Sequence, residues 1–183
     1  LVAAGFLPKP PGIDLRAMTG TTADIEIVDG SHVRCRRPML IDLGGIAKGY
    51  AVDRAAEALI VLGVPRGVVN AGGDLRVIGP EPEIVHLRGA LGAFEAAITL
   101  ADGAVATSSN VHSRRRHDGR QVTPHFAAGR PVLSDDAVSV VAFRCIIADA
   151  MTKVALADPG LAERMLKDLG GEIVLRSRRR LAS

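Results

Sequence analysis

A chain of 183 residues that is 48% apolar and carries a formal charge of only +3 can bury about 70% of the surface its unfolded form exposes, which excludes disorder and coiled coil. Tryptophan is absent and tyrosine occurs once, so the core must be aliphatic. The arginines crowd into segments 34–37, 114–116 and 176–180 without interleaved aromatics; they offer bases no stacking platform and match no helix or finger reader, which argues against a nucleic-acid partner.

In chain order, residues 1–14 are Pro-rich (Pro8, Pro10, Pro11) and are expected to form an extended lead-in. Residues 23–28 alternate and stop at Asp29-Gly30, a strand closing in a hairpin with 31–37 as its return. Residues 48–62 place Val52, Ala55, Ala56 and Leu59 on one helical face, and Gly63 supplies the left-handed residue that ends it. Strands follow at 67–70, 75–78, 84–87, 93–100 and 104–107. The polar stretch 111–135 is expected to fold into a hairpin about Asp118-Gly119. Residues 138–143 read as a central strand, 147–157 and 160–169 as helices, 172–175 as a last strand and 176–183 as a basic tail. Together these make one α+β domain, a mostly antiparallel sheet packed with helices.

Cys35 and Cys145 are too few and too far apart for a metal site or a disulfide framework, and Cys145 sits in an apolar run as a small hydrophobe. No apolar run reaches the length that crosses a bilayer, and no signal segment is present. The chain opens on Leu1 rather than methionine, so an upstream portion, with any export signal, is expected.

Three segments suggest chemistry. Val69-Asn70-Ala71-Gly72-Gly73-Asp74 places two glycines where a backbone approaches something polar or φ is positive. Ile41-Asp42-Leu43-Gly44-Gly45-Ile46-Ala47-Lys48-Gly49-Tyr50 enters a helix, where unpaired N–H groups suit phosphate; a tight turn requires the same glycines, and the spacing is not that of a dinucleotide fingerprint. Ala148-Asp149-Ala150-Met151-Thr152-Lys153 brings Asp149 beside Thr152 and Lys153 on one helical face. Its carboxylate and hydroxyl are hard oxygen ligands suited to magnesium, although an aspartate there is equally favoured as a helix cap.

The order of Ile-Asp-Leu-Gly-Gly-Ile-Ala-Lys-Gly-Tyr-Ala-Val-Asp, Asn-Ala-Gly-Gly-Asp, Ala-Thr-Ser-Ser, a histidine segment ending Gly-Arg-Pro-Val, and Ala-Asp-Ala-Met-Thr resembles the ApbE-like FAD:protein FMN transferases, formerly called thiamine biosynthesis lipoproteins. The resemblance covers residues 15–175. It implies a T-fold-like domain that matches only the later portion of a full member.

The activity so implied is a magnesium-dependent cleavage of FAD, with transfer of FMN to a threonine of a target protein and release of AMP. Hydrolysis of FAD to FMN and AMP, and a flavin-binding paralogue without chemistry, are the alternatives, with a purely structural or interaction domain behind them. Mapped onto this sequence, the resemblance assigns Asp42, Gly44, Gly45, Lys48, Asn70, Gly72, Gly73, Asp74, Thr107 and Ser108 to the flavin nucleotide. It assigns Asp149 and Thr152 to the magnesium ion, with a carbonyl near Ala106 or Ala47, and Asp149, His125 and Lys48 to catalysis. Lys48 either meets phosphate or pairs with Asp42 or Asp53, and Asp74 either orients a flavin or ribose group or caps a turn.

Three departures from the family pattern stand out. The usual His-Ile-Ile-Asp-Pro-x-Thr-Gly is replaced by His125-Phe126-Ala127-Ala128-Gly129-Arg130-Pro131-Val132, which lacks the Asp-Pro pair, so Asp135 or Asp136 would have to reach back to His125. That histidine is then either a general base or phosphate ligand or a loop residue held by packing. The threonine usual four residues after the metal-binding aspartate is Lys153; Ser109 also stands where glycine is usual. By the same resemblance, the location is periplasmic or membrane-associated if an export signal lies upstream and cytoplasmic otherwise. The partners are FAD and an acceptor protein, while the oligomeric state is not encoded in any motif.

Overall fold

The structure is a computed structural model that describes residues 1–178. By its contacts the chain divides into two compact units, Leu1–Leu43 and the remainder from Gly44.

In the first unit the expected extended lead-in instead turns twice. Gly5 and Gly12 adopt φ of 68° and 74°, and the Gly5 and Ile13 amides bond back to Val2 and Pro10 carbonyls. The proline-fixed φ therefore coexists with chain reversal, because glycine supplies the left-handed step. A short hairpin follows, β1 (Ile25–Ile27) with β2 (Val33–Cys35). Its first strand starts later than residue 23 because Asp24 instead accepts the Thr21 amide and hydroxyl in a 3-10 turn.

In the second unit, α1 (Ala47–Val61) ends near Gly63, whose φ is 80°. Its buried stripe is Gly49, Val52, Asp53 and Ala56 rather than the apolar set anticipated; Ala55 is exposed. The spacing of 3 and 4 is kept, but two of its members are a glycine and an aspartate, which a search for apolar residues passes over.

A hairpin of β3 (Gly67–Ala71) and β4 (Asp74–Ile78) pairs Ala71 with Asp74 across Gly72-Gly73. Both turn residues have positive φ, 68° and 102°, the requirement of a two-residue turn matched to strand twist. The hairpin β5 (Glu83–Arg88) and β6 (Phe94–Leu100) follows, then β7 (Ala104–Ser109), longer than its apolar residues suggested because Ser108 and Ser109 continue the pairing with the later strand 136–142.

Segment 111–135 forms two hairpins. β8 (Arg115–His117) and β9 (Arg120–Val122) meet about Asp118-Gly119 as expected, and β10 (Phe126–Ala127) and β11 (Arg130–Pro131) meet about Ala128-Gly129, with φ of 48° and 74°. The chain closes with β12 (Asp136–Ala142), α2 (Cys145–Ala157), α3 (Pro159–Leu169) and β13 (Gly171–Arg178). Asp158 caps α3 through the Leu161 amide, and Gly170 ends it at φ 69°. Arg176 and Arg178, expected in a tail, extend β13 because both bond Asp136 across the pair; the rest of that tail, 179–183, lies outside the described residues.

The main sheet runs β13-β12-β7-β4-β3, antiparallel throughout, so the α+β architecture with a mostly antiparallel sheet holds. Strand alternation separates two cores. On one face Ala106, Val138 and Val140 pack against Ala148, Met151 and Ala155 of α2 and Leu166 of α3. On the other Leu75, Val77 and Val105 pack against Leu87 and Leu100 of the β5–β6 hairpin. Residues adjacent in a strand thus serve opposite faces at the end of the sheet where the polar groups gather. Among the described residues no helix is long and apolar enough to cross a membrane.

Candidate functional site

The site is built on the contact of α1 with α2. Gly49 permits it: a Cβ there would stand 2.5 Å from the Cys145 carbonyl oxygen and 2.7 Å from Asp149 Cβ, inside van der Waals contact. The close approach lets the Gly49 amide donate to Asp149 Oδ2 at 2.9 Å. Four residues further along α1, Asp53 accepts the Cys145 and Ile146 amides at 2.9 and 3.0 Å and caps α2 from a neighbouring helix, since Arg144 at the N-cap position makes no such bond with its side chain. Arg76 of β4, itself buried, donates to the same carboxylate at 3.1 Å.

Asp149 therefore does not cap its own helix; it lies in the second turn, fully buried. Its Oδ1 takes the Lys153 ammonium, which also donates to the Asp149 carbonyl oxygen at 2.8 Å. The Thr152 hydroxyl donates to that same carbonyl oxygen at 2.7 Å and meets the Ser108 hydroxyl at 2.7 Å.

Lys48, in the first turn of α1, pairs with Asp74, the residue just after the Gly72-Gly73 turn, while Asp53 is held by Arg76. Asp74 is 1% exposed, yet its Oδ1 has no hydrogen-bond partner. Burial pushes its carboxyl upward, the Lys48 hydrogen bond opposes this, and the charge of Asp149 adds to the rise. The turn itself is held by Asn70, whose Oδ1 accepts the Gly73 amide at 2.9 Å, so the turn-capping role belongs to Asn70 rather than Asp74.

His125 has an amide as partner where an acid was expected. Asp135 pairs with Arg114 and Asp136 with Arg176 and Arg178, while His125 Nδ1 meets Asn110 Oδ1. Because Asn110 Nδ2 donates to the Val132 carbonyl oxygen at 2.8 Å, its Oδ1 is the acceptor and Nδ1 carries the proton. Nε2 is left with its lone pair. Burial, then the positive charge of Lys153, lowers the imidazole to about 4, so the ring is neutral at pH 7. Cys145 is pushed up to about 12, chiefly by burial, and is no nucleophile.

These groups feel one another: Lys48, Lys153 and Asp149 all act on His125, and Lys48, Lys153 and Asp149 all act on Asp74. Around the end of the sheet, on the hairpin side, a cleft of about 460 Å³ is lined by Asn70, Gly72, Gly73, Val85, Arg88 and Thr107; the Thr107 hydroxyl bonds Ser139 at 2.8 Å. A hollow of about 530 Å³ elsewhere, walled by Asp102, Leu166 and Glu172, contains none of the anticipated residues. Gly44 and Gly45 lie in the turn leading into α1, and a Cβ on Gly45 would meet open space. Asp42 belongs to the first unit and is exposed there.

The anticipated residues thus separate by face. Lys48 with Asp74, and Ser108 with Thr152 and Asp149, form two bonded groups on the helix side, and Asn70, Gly72, Gly73 and Thr107 line the cleft on the other, joined through the adjacent pairs Gly73-Asp74 and Thr107-Ser108. Gly49, Asn110 and Lys153 complete the constellation. Gly49 and Lys153 fall inside motifs the sequence already marked and Asn110 directly follows one, and only the pairing of distant segments reveals what Gly49 and Asn110 contact.

Magnesium prefers six oxygen ligands in near-octahedral order. Both Asp149 carboxylate oxygens and its carbonyl oxygen are already engaged, two of the three by an ammonium, and the Thr152 hydroxyl points its proton at that carbonyl. Among the described residues no three His, Cys, Asp or Glu side chains gather as a metal site. This donor set does not fit the ion.

The sequence model of the ApbE family matches residues 4–174. The FAD:protein FMN transferase of Rhodobacter capsulatus is 30% identical over 188 aligned residues, which span 96% of this chain and 33% of that protein. The crystal structure of the ApbE protein of Thermotoga maritima aligns with a TM-score of 0.66 at 28% identity, covering 86% of this chain and 57% of that one. The apo flavinyl transferase ApbE of Pseudomonas stutzeri gives 0.68 at 23%, covering 87% and 52%. The chain spans about a third of the length of the curated relative and little more than half of the solved ones.

Proposed function

Because the chain belongs to the ApbE family, we propose that it binds FAD, cleaves the pyrophosphate and transfers FMN to a threonine hydroxyl of another protein, releasing AMP. The observation that carries this reading is the buried, unpartnered Oδ1 of Asp74 beside the Lys48 ammonium, directly after the cleft-lining Gly72-Gly73 turn. An orphaned buried acceptor costs about 1–3 kcal/mol, and an N–H or O–H of a nucleotide relieves it.

In the reaction the threonine oxygen attacks the FMN phosphorus, the bond from that phosphorus to the bridging oxygen breaks, and AMP leaves with the bridging oxygen. His125 Nε2 takes the hydroxyl proton, a role suited to a neutral ring whose other nitrogen is oriented by Asn110. Lys48 meets the phosphate charge, and positioned cations stabilise what develops on the equatorial oxygens. Asp149 holds the Gly49 amide and Lys153 in place. No step is assigned to magnesium, since its expected ligands Asp149 and Thr152 are engaged as described.

Incubation with FAD and separation of the nucleotides tests the proposal. With a threonine-bearing acceptor protein present, AMP should exceed unbound FMN, the difference appearing on the acceptor. Equal AMP and FMN would identify a pyrophosphatase that uses water, bound FAD without AMP a flavin-binding paralogue, and no FAD binding would overturn the flavin reading.

A further inference from the structure

The chemistry-bearing core of this site is a nest of oxygen atoms: Asp149 Oδ1 and carbonyl oxygen, with the Thr152 and Ser108 hydroxyls adjoining. Such a nest attracts a cation, and here the cation comes from the chain itself. We propose that the Lys153 ammonium occupies the place of a divalent metal at Asp149, so that this chain carries its own fixed cation and handles its phosphate-bearing ligand without one from solution.

Several observations converge on this assignment. Lys153 lies four residues after Asp149 on α2, the spacing that stacks the two side chains, and it bonds two Asp149 oxygens at once. Its side chain is 19% exposed and its partner 0%. An ammonium has three donors; two are spent on Asp149, and one is left for a phosphate oxygen. The same charge reaches the two other functional groups, adding to the fall of His125 and opposing the burial-driven rise of Asp74, as a cation at the centre of the site should. A carboxylate without its cation would be a buried unpaired charge, so metal and ammonium compete for one position rather than coexist. The role for phosphate rests on the flavin reading, whereas exclusion of the metal does not.

Manganese alone, titrated into the full chain and followed by electron paramagnetic resonance, tests the exclusion. The unaltered chain should bind no manganese that depends on Asp149, up to about 1 mM, and Lys153→Thr should gain one equivalent that Asp149→Asn added to it removes. Manganese bound by the unaltered chain and lost in Asp149→Asn would overturn the proposal, as would the absence of a new site in folded Lys153→Thr. Unaltered titration needs no variant to fold. In parallel, FAD affinity and any AMP release by the unaltered chain should change less than about 2-fold between chelator and millimolar magnesium, while Lys153→Thr becomes at least about 10-fold magnesium-dependent. A 10-fold loss on chelation in the unaltered chain would refute the fixed cation while leaving the flavin reading intact; FAD that fails to bind, with manganese still excluded, would do the reverse.

Discussion

His125 shows what a single residue contributes to the account. Its imidazole has a folded-state value of about 4, below its ordinary 6.5, because it is part-buried and faces Lys153. Between those values the unfolded chain binds a proton that the folded chain refuses, so stability rises with pH through the window and is lost as pH falls from about 6.5 toward 4. Asp74 acts in the opposite sense: its folded value is raised, the folded chain holds the extra proton, and the stability this contributes is lost as pH rises from 3.8 through the folded value. Urea midpoints measured from pH 4 to 7 should therefore climb less steeply in His125→Gln than in the unaltered chain; parallel curves would remove the buried neutral histidine. AMP release, if His125 is the base, should halve near pH 4 rather than 6.5.

At the scale of elements, the meeting of α1 and α2 decides whether the site exists. Gly49→Ala should cost about 1–3 kcal/mol by overpacking, since its Cβ meets the Cys145 carbonyl oxygen, whereas Gly45→Ala should be near neutral because that Cβ faces open space. Chemical denaturation of both variants checks the contrast, and equal losses would contradict the close approach. Asp53→Asn weakens the cap of α2 and leaves Arg76 buried without its charge partner, a change worth about 3–5 kcal/mol; a midpoint shift of under about 1 kcal/mol would mean the cap is redundant.

The same contact explains what the sequence made legible. Hairpin turns such as Gly72-Gly73 and Asp118-Gly119 announce themselves because positive φ leaves few residue choices. The buried stripe of α1 did not, because Gly49 and Asp53 face a helix about a hundred residues away. The Asn110 partner of His125 was equally hidden: sequence reasoning sought an acid for the histidine, and the fold supplied an amide carbonyl. The short Ala128-Gly129 hairpin went unnoticed because alanine is an uncommon residue at positive φ.

Over the whole second unit, the main sheet acts as a partition with different chemistry on its two faces, the charged groups beneath the helices and a cleft beneath the β5–β6 hairpin. Consecutive residues, Gly73 with Asp74 and Thr107 with Ser108, carry the site from one face to the other. The motifs spread over residues 44–153 are brought together by topology: the α1 start, the β3–β4 turn, the end of β7 and the second turn of α2 converge although each is distant in sequence. Equilibrium dialysis of FAD against the unaltered chain, Lys48→Ala and Asp74→Asn tests this convergence most directly. One FAD should bind per chain, about 10–100-fold more weakly in Lys48→Ala, as expected for loss of a charge-assisted contact of about 1.5–3 kcal/mol, and measurably more weakly in Asp74→Asn. Unchanged affinity in both variants, or no FAD bound by the unaltered chain, would contradict it.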